Sequence, residues 1–210
     1  MKAVINILLT IVIIVLVYLL YESIMDPIRF NKERDKREAA IKERLIDIRS
    51  AQVLFRSKYG KYTGSFDTLI GFIKNDSLPV VYRVGALTDE MVAKGLTEKE
   101  AIKQKLIIRD TSFVVIGDSL FKINYPIDSI RYVPFAGGEQ FQLAAAAVET
   151  GSKVVVQLFE ASVLNDVFLK GLDKQLIINY NALRKELTGF SGMRVGNVTE
   201  PNNNAGNWEN

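Results

Sequence analysis

The side chains that most often carry acid–base and nucleophilic catalysis are missing from this chain. Among its 210 residues there is no histidine and no cysteine. Their absence excludes Ser-His-Asp and Cys-His catalysis, histidine- and thiolate-ligated metals, and disulfides. Gly137 and Gly138 lack the adjoining lysine and helix of a phosphate-binding loop. We therefore expect a protein that is not an enzyme and that uses no cofactor and no metal.

Carboxylates are the catalytic groups that remain. Glu139, Glu149 and Glu160 lie in or beside segments of strand-like sequence and would be the residues of a carboxylate-based hydrolase. Sheets with one solvent-exposed face normally carry such charges on it, so we interpret the three glutamates as solvated strand residues. The hydrolase is the least favoured alternative.

The charges do not suggest a nucleic-acid partner. The chain has 27 basic and 24 acidic residues, a net charge of +3, and the two signs are interleaved along the sequence. A nucleic-acid-binding protein instead concentrates basic residues on one surface. No nucleic acid is expected as a partner.

The first 21 residues predict a membrane anchor. Ala3 to Tyr21 carries no charge, and as a helix these residues span roughly 28 Å, close to the hydrocarbon thickness of a bilayer. No Ala-x-Ala site follows Tyr21, so an uncleaved signal anchor is favoured over a cleaved secretory signal. The lipid bilayer is the predicted partner of Ala3 to Tyr21.

The charges on either side of the span give conflicting orientations. Lys2 alone precedes the span, whereas five basic residues follow it closely: Arg29, Lys32, Arg34, Lys36 and Arg37. The positive-inside rule therefore favours a membrane-tethered cytoplasmic adaptor. A short amino terminus with one lysine is typical of signal anchors and favours export. We predict a single-pass inner-membrane protein with a periplasmic carboxyl-terminal domain, and keep the adaptor as the alternative.

A second amphipathic segment follows the anchor. Apolar and uncharged polar residues recur at steps of four and three: Ile41, Leu45, Ile48, Gln52, Phe55, Tyr59 and Tyr62. Such a stripe lies on one face of a helix. It packs either on a sheet of its own domain or against other subunits, and the candidate interaction residues are Ile41, Leu45, Ile48, Phe55, Tyr59 and Trp208. Pro27 is expected to kink or restart the helix between anchor and stripe.

The remaining sequence predicts an antiparallel sheet. A polar helix from about residue 89 to 104 precedes strand-like segments from Lys105 onward, including one at Ile130 to Phe135. Gly117-Asp118 and Gly151-Ser152 are expected to form tight hairpins. Leucines at helical spacing predict a last helix ending at Gly189. The fold class is α+β, with an N-terminal transmembrane helix that continues into a long amphipathic helix packed on an antiparallel sheet.

Three regions follow from this pattern. Residues 1–24 form the anchor, 25–63 the amphipathic scaffold helix and 64–210 an α+β globular domain. Trp208, in a polar tail, either closes the core or makes an exposed contact.

This layout resembles the type IV pilins and the pseudopilins of type II secretion. In the segment IKERLIDIRSAQVLFRSKYGKYTGSFDTLIGFI, the residues Ala51, Gln52, Phe55, Gly60 and Tyr62 approximate a motif common at the end of their long helix. The resemblance implies an exported domain that contacts other envelope proteins or copies of itself. The chain lacks the prepilin cleavage motif, so peptidase processing is not implied.

The tail from Asn202 to Trp208 is faintly similar to the calcium loop of major pseudopilins. Glu200 and Glu209 are its only carboxylates, too few for the oxygen-rich shell that calcium prefers, so no calcium site is expected.

Four triplets combine an aspartate, a hydroxyl residue and a leucine or isoleucine. They resemble the O-glycosylation triplets of exported proteins in Gram-negative gut anaerobes, which implies modification at Thr68, Ser77, Ser119 and Ser129. Asp-Ser and Asp-Thr pairs are also favoured in caps and turns, and this is the alternative.

Overall fold

A computed structural model describes residues 2–86, 95, 97–103, 106, 108–122, 124–149, 151 and 153–209. The helices are α1 (Lys2–Tyr59), α2 (Phe66–Asn75), α3 (Glu98–Lys103), α4 (Ile116–Leu120), a 3-10 helix (Ile127–Arg131), α5 (Asn165–Phe168) and α6 (Lys174–Thr188). The strands are β1 (Ser77–Val84), β2 (Ile108–Val115), β3 (Gln142–Glu149), β4 (Val155–Leu164) and β5 (Gly192–Gly196). The predicted α+β class, with a long N-terminal helix and antiparallel sheets, is confirmed.

Helix α1 runs without interruption for 58 residues, so the expected restart at Pro27 is wrong. Proline removes one backbone donor, and the carbonyl that loses its partner is that of Ser23, one turn earlier. Ser23 and Pro27 are both exposed, so that carbonyl is open to surrounding solvent and the helix continues. Its apolar start is long enough to cross a membrane, by length and composition.

Burial divides α1 into two parts. The side chains of Ala3 to Tyr21 are all exposed, whereas Phe30 is the first buried residue. The stripe from Ile41 to Phe55 is then almost completely buried. One helix therefore supplies both the apolar N-terminal segment and a large part of the protein core.

The described chain divides into two compact units. The first combines residues 1–66 with 129–210, and the second is 67–128. The predicted regions placed 25–63 and 64–210 apart, but the buried stripe of α1 makes it part of the first unit's core.

The first unit is built around a three-stranded antiparallel sheet in the order β3-β4-β5. Its register runs from Gln142 opposite Ser162 to Glu149 opposite Val155, and from Glu160 opposite Gly196 to Leu164 opposite Gly192. Helix α1 packs on β4 and β5. Alternation along the strands places five buried side chains on one face: Phe159, Ala161, Val163, Met193 and Val195.

The second unit contains the antiparallel pair β1-β2, in register from Ser77 opposite Val115 to Val84 opposite Ile108. Leu69, Ile73 and Ile116 are completely buried. The predicted polar helix falls largely outside the described residues, and α3 is its described part. Thr97 and Glu100 form a capping box there, with the Thr97 amide donating to Glu100 Oε2 at 2.9 Å.

Two sequence predictions are wrong. Gly117 and Asp118 lie in α4 and not in a hairpin, because the Ile116 amide donates to the Asp76 carbonyl at 3.0 Å and the chain turns helical there. The segment from Ile130 to Phe135 is the end of the 3-10 helix followed by turns, and Tyr132 makes only an isolated bridge to Gln140. The turn at Gly151 and the last helix, α6 ending before Gly189, are confirmed.

A buried amide joins the end of α1 to the chain that follows it. Gln52 is fully buried; its Nε2 donates to the Thr63 carbonyl at 2.6 Å, and its Oε1 accepts from the Thr63 amide at 3.1 Å. This pair satisfies both backbone groups of a residue outside any helix or strand.

Replacing Gln52 by leucine is expected to lower the free energy of unfolding by about 2–4 kcal/mol, because both backbone groups of Thr63 lose their partners in a buried site. Urea unfolding in detergent micelles measures the effect. Val53→Ala, at an exposed position of the same helix, is the control and is expected to change stability little. Equal effects of the two substitutions would contradict the assigned role of Gln52.

Candidate interaction surfaces

Helix α6 lies against α1 beyond the apolar N-terminal segment, between Pro27 and Glu38. The Asp173 side chain caps its start by accepting from the Leu176 amide at 2.8 Å, and Gly189 ends it with a φ of 70°. Ile177 is buried beneath the helix. The caps fix where α6 begins and ends, and Ile177 packs it on the first unit.

A network of charged and aromatic groups fastens α6 to α1. The Tyr180 hydroxyl donates to Glu38 Oε1, and Arg184 Nη1 donates to the same hydroxyl at 3.1 Å. Arg184 also lies 3.7 Å from Glu38, and the Arg34 guanidinium stacks 4.7 Å above the Tyr180 ring. Arg184 and Glu38 are only 14% and 19% exposed, so removing one partner would leave a charge poorly solvated.

The loop before α6 is fastened to α1 as well. Arg37 Nη1 donates to the carbonyls of Phe168 and Lys170 at 2.9 and 3.1 Å, while its Nε donates to Glu33. Side chains of α1 thus satisfy carbonyls at the end of α5, which have no partner within that short helix.

Two cavities flank this junction. The larger, about 400 Å³, is lined by Asp26, Arg29, Phe30 and Glu33 of α1 and by Gly171 to Asp173. The smaller, about 190 Å³, is lined by four residues of each helix: Pro27, Phe30, Asn31 and Arg34 on α1, and Leu176, Asn179, Tyr180 and Leu183 on α6. Within the described residues no group of three acidic side chains is arranged to hold a metal ion. Both cavities mix apolar and charged walls.

The predicted interaction stripe lies inside the first unit. Ile41, Leu45 and Ile48 are completely buried and Phe55 nearly so. A seam between subunits would require these side chains to be exposed, so the structure corrects their assignment as interaction residues and matches the other interpretation, a helix packed on its own sheet. Tyr59 is 49% exposed and remains available for contact.

Trp208 is half-buried, between the two predicted alternatives. Its ring lies against Gly206, where an added Cβ would come within 2.4 Å of the ring, and the Lys42 ammonium is 5.9 Å from the ring centroid. The indole Nε1 is buried without a hydrogen-bond partner among the described residues.

The tail asparagines take part in turns and hydrogen bonds of the fold. Asn203 and Asn204 have positive φ angles, and Asn204 Nδ2 donates to the Tyr62 hydroxyl at 2.9 Å. The Asn207 side chain accepts from the Arg194 amide and donates to the Gly192 carbonyl. Arg49 donates to Glu209 at 2.8 Å, and this hydrogen bond holds the pKa of Glu209 below its usual value.

The four predicted glycosylation residues differ in exposure. Thr68, on α2, and Ser119, on α4, are exposed, whereas Ser77 and Ser129 are half-buried. The Ser129 hydroxyl accepts from Arg44 Nη1 at 3.1 Å. Thr68 and Ser119 are therefore the two accessible acceptors, and their modification stays a prediction.

The structure separates two of the three glutamates of the hydrolase alternative, Glu149 and Glu160. Glu160 pairs in register with Ala144, five residues from Glu149 along β3, or roughly 17 Å. Its carboxylate lies 3.8 Å from Arg194 on the neighbouring strand, and Glu139 lies in the loop before β3.

The two outer strands of the sheet differ in whether another segment of the chain pairs with their outer side. The tail closes β5: Gly196 donates to Ala205, Asn207 donates to Arg194, and Val195 bridges Gly206. Among the described residues no other segment pairs with β3, where Ala144, Ala145 and Ala147 are exposed. The β3 edge, defined as Gln142–Glu149, is the outer edge of this sheet with which no described strand pairs, and Gly64 lies close to its backbone at Ala144 and Ala145.

Sequence reasoning missed the network around Tyr180. Tyr180 belongs to the predicted stripe of the last helix, and Arg34 and Glu38 are spaced by four on α1. That spacing places both charges on one helix face, and this was the signal of the network that the sequence contained. Nothing in the sequence shows that α6 lies against α1 at that turn.

No protein-family model, curated protein or solved structure matches the chain. The resemblance to type IV pilins and pseudopilins stays a prediction made from the residues alone.

The Tyr180 network predicts a pH dependence of stability. Burial, and then the hydrogen bond to Glu38, raise the pKa of Tyr180 to about 12, whereas a tyrosine in the unfolded chain ionises near about 10. Between these values the unfolded state loses the proton first, so stability falls as the pH rises from about 10 to about 12. Below that window Tyr180 adds no pH dependence.

Urea unfolding at a series of alkaline pH values measures this fall. Tyr180→Phe is expected to remove the part of the slope that Tyr180 contributes, while Tyr132→Phe, at a more exposed tyrosine outside the network, is the matched control. A slope unchanged by Tyr180→Phe would show that the hydroxyl is not held by Glu38.

Proposed function

We propose that this protein is a non-enzymatic, single-pass inner-membrane protein whose exported domain makes protein–protein contacts in a pilin-like, secretion or filament-like assembly. The observation that carries the proposal is the division of α1: its first part exposes only uncharged side chains over the length of a bilayer, and its second part is the core of the first unit. A domain built on its own anchor is held at the membrane without a linker.

The β3 edge supports the contact role. Among the described residues no strand pairs with its outer side, and positions 144–147 are all alanine. Edge strands that are neither charged along their length nor covered are templates for strand pairing. An antiparallel pair of two β3 edges centred on these alanines sets Glu149 opposite Gln142, with no like charges facing.

The adaptor on the cytoplasmic side is the second candidate, favoured by the five basic residues after the span. Four of them are engaged within the chain, and one of these is Lys36, which lies 3.8 Å from Glu33. Arg29 pairs with Glu22 at 3.0 Å, Arg34 pairs with Asp35 at 2.7 Å, and Arg37 holds the loop before α6. These contacts give the cations a structural role in the fold besides setting orientation.

Orientation is tested by single cysteines, because the natural chain contains none. In intact cells, a membrane-impermeant maleimide is expected to label Glu186→Cys on exposed α6 and to leave Lys2→Cys unlabelled until the membrane is permeabilised. The opposite pattern would contradict export and support the adaptor.

Contact through the β3 edge is tested by oxidative crosslinking in membranes. Cysteines introduced singly at positions 144 to 147 are expected to give disulfide-linked dimers or adducts at one or more positions, since paired strands bring side chains to about 4.5–5.5 Å. Lys185→Cys, exposed on α6, is the matched control. Crosslinking no stronger on β3 than at the control would argue against the edge as a contact.

A further inference from the structure

The border between apolar and polar residues runs obliquely across α1. Thr10 and Ile28 are eighteen residues apart, as are Asn6 and Ile24, and this spacing makes five full turns at about 3.6 residues per turn. These four residues therefore share one side of the helix, which we call the Ile28 side. Its polar residues come at the amino-terminal end, and its exposed isoleucines lie beyond Tyr21.

The opposite side of α1 has the reverse order. Leu8 and Asp26 are each two residues before their counterparts on the Ile28 side, a rotation of about 200° round the helix. Val4 and Glu22, one turn earlier, share this side, which we call the Asp26 side. Its amino-terminal end is apolar, and charge begins on it at Glu22, before the isoleucines of the other side.

The structure keeps the two sides distinct. Arg29 donates to Glu22 at 3.0 Å and lies 3.6 Å from Asp26, so these charges bind one another. Ile24 and Ile28 are 57% and 53% exposed. Phe30, the first residue buried in the first unit, lies about 120° and 160° from them round the helix. The first unit therefore leaves the two isoleucines uncovered.

A helix that crosses a bilayer at a tilt is expected to have such a border. On the side toward which the helix leans, both membrane surfaces meet it later in the sequence than on the other side. The Ile28 side is displaced in this way at both of its ends, and the Asp26 side is displaced in the opposite direction at both of its ends.

The size of the displacement favours a steep tilt. Charge begins at Glu22 on one side and at Lys32, one turn after Ile28, on the other, about 15 Å further along the axis. Across a helix about 10 Å wide, a tilt of 20° accounts for about 4 Å and one of 40° for about 8 Å. The long side chain of Lys32 covers part of the remainder, because its charge extends away from apolar surroundings.

We propose that α1 spans the membrane at a tilt toward its Ile28 side, so that Ile24 and Ile28 contact lipid in the headgroup layer. On an upright helix whose span ends at Tyr21, Ile28 would lie about 10 Å beyond the hydrocarbon, past a headgroup layer of about 5–7 Å. Lipid is the occupant because the Ile28 side continues the apolar segment and because one tilt explains the displacement of both sides.

This inference rests on the membrane anchor of the proposed function, but not on export or on the β3 edge. The tilt raises the side of α1 that carries Phe30, which is where the first unit begins to cover the helix. The lipid contact would thus fix which side of α1 faces the membrane surface.

The test uses single cysteines, since the natural chain has none, in the full chain in phosphatidylcholine vesicles. A nitroxide label collides with oxygen, which concentrates in lipid, and with a water-soluble nickel chelate, and the ratio of the two collision rates reports its depth. This ratio is expected to be at least about twofold higher at Ile28→Cys than at Asp26→Cys. Asp26 is nearer to the span along the sequence, so an upright helix gives the reverse order. Val53→Cys, exposed on the part of α1 within the first unit, gives the value in water.

The amino-terminal end of α1 supplies a matched pair away from the first unit. Leu8 and Thr10 repeat the geometry of Asp26 and Ile28 five turns earlier. A label at Leu8→Cys is expected to be deeper than one at Thr10→Cys, although Thr10 is further from the amino-terminal end of the span. Because both positions are exposed, shielding by the first unit does not affect this comparison.

Flotation with the vesicles tests the anchor separately. Chains that float while either pair follows the order of an upright helix would overturn the tilt and leave the anchor intact. Chains that do not float would overturn both. Spin–spin broadening at Ile28 that grows with protein density, in place of a high oxygen ratio, would assign the Ile28 side to a second copy of the chain and also overturn the lipid contact.

Discussion

The structure depends on one constraint, that the apolar side chains of α1 must be covered along its whole length by two different surroundings. Over Ile41 to Phe55 the cover is the sheet of the first unit, and over Ala3 to Tyr21 nothing in the described chain provides it. Sixteen or more exposed aliphatic and aromatic residues in one run are not sustained in water. The first part of the helix is long and apolar enough to cross a membrane, by length and composition.

A charged segment of α1 lies between its exposed apolar part and its buried part. Between Tyr21 and Ile41 the helix carries acids and bases in close pairs, and the bases that point toward the domain bind carbonyls or an aromatic ring. One partly buried cluster is formed by Tyr180, Glu38 and Arg184. The two charges in it, on Glu38 and Arg184, are partners of each other. Such clusters add specificity of position more than stability, because desolvation offsets much of their attraction. Here the position specified is that of α6 against α1.

The sequence was sufficient for the features that depend on periodicity. The α1 stripe, the strand at Val155–Leu164 and the helix ending at Gly189 follow from repeats of apolar residues and from a glycine with positive φ. Features that depend on contacts between residues distant in sequence could not be predicted from the sequence. Gly117 and Asp118 have hairpin composition but follow the chain into α4, and Pro27 has the composition of a break but lies at an exposed turn where a helix tolerates it. Gln52 was placed on the right face, but its pairing with Thr63 depends on the return of the chain after α1.

The difference between the two outer strands limits how large an assembly built through the sheet can become. The amide of Arg194, the carbonyls of Gly192 and Arg194 and the amide of Gly196 are all occupied by the tail, so the β5 side offers no backbone groups to a neighbour. Two copies that joined through β3 would use the outer edge of the first unit's sheet that no described strand pairs with, while β1 and β2 of the second unit are each paired on one side only. A pair joined in this way would be closed about a two-fold axis, so a third copy could not add to the same sheet.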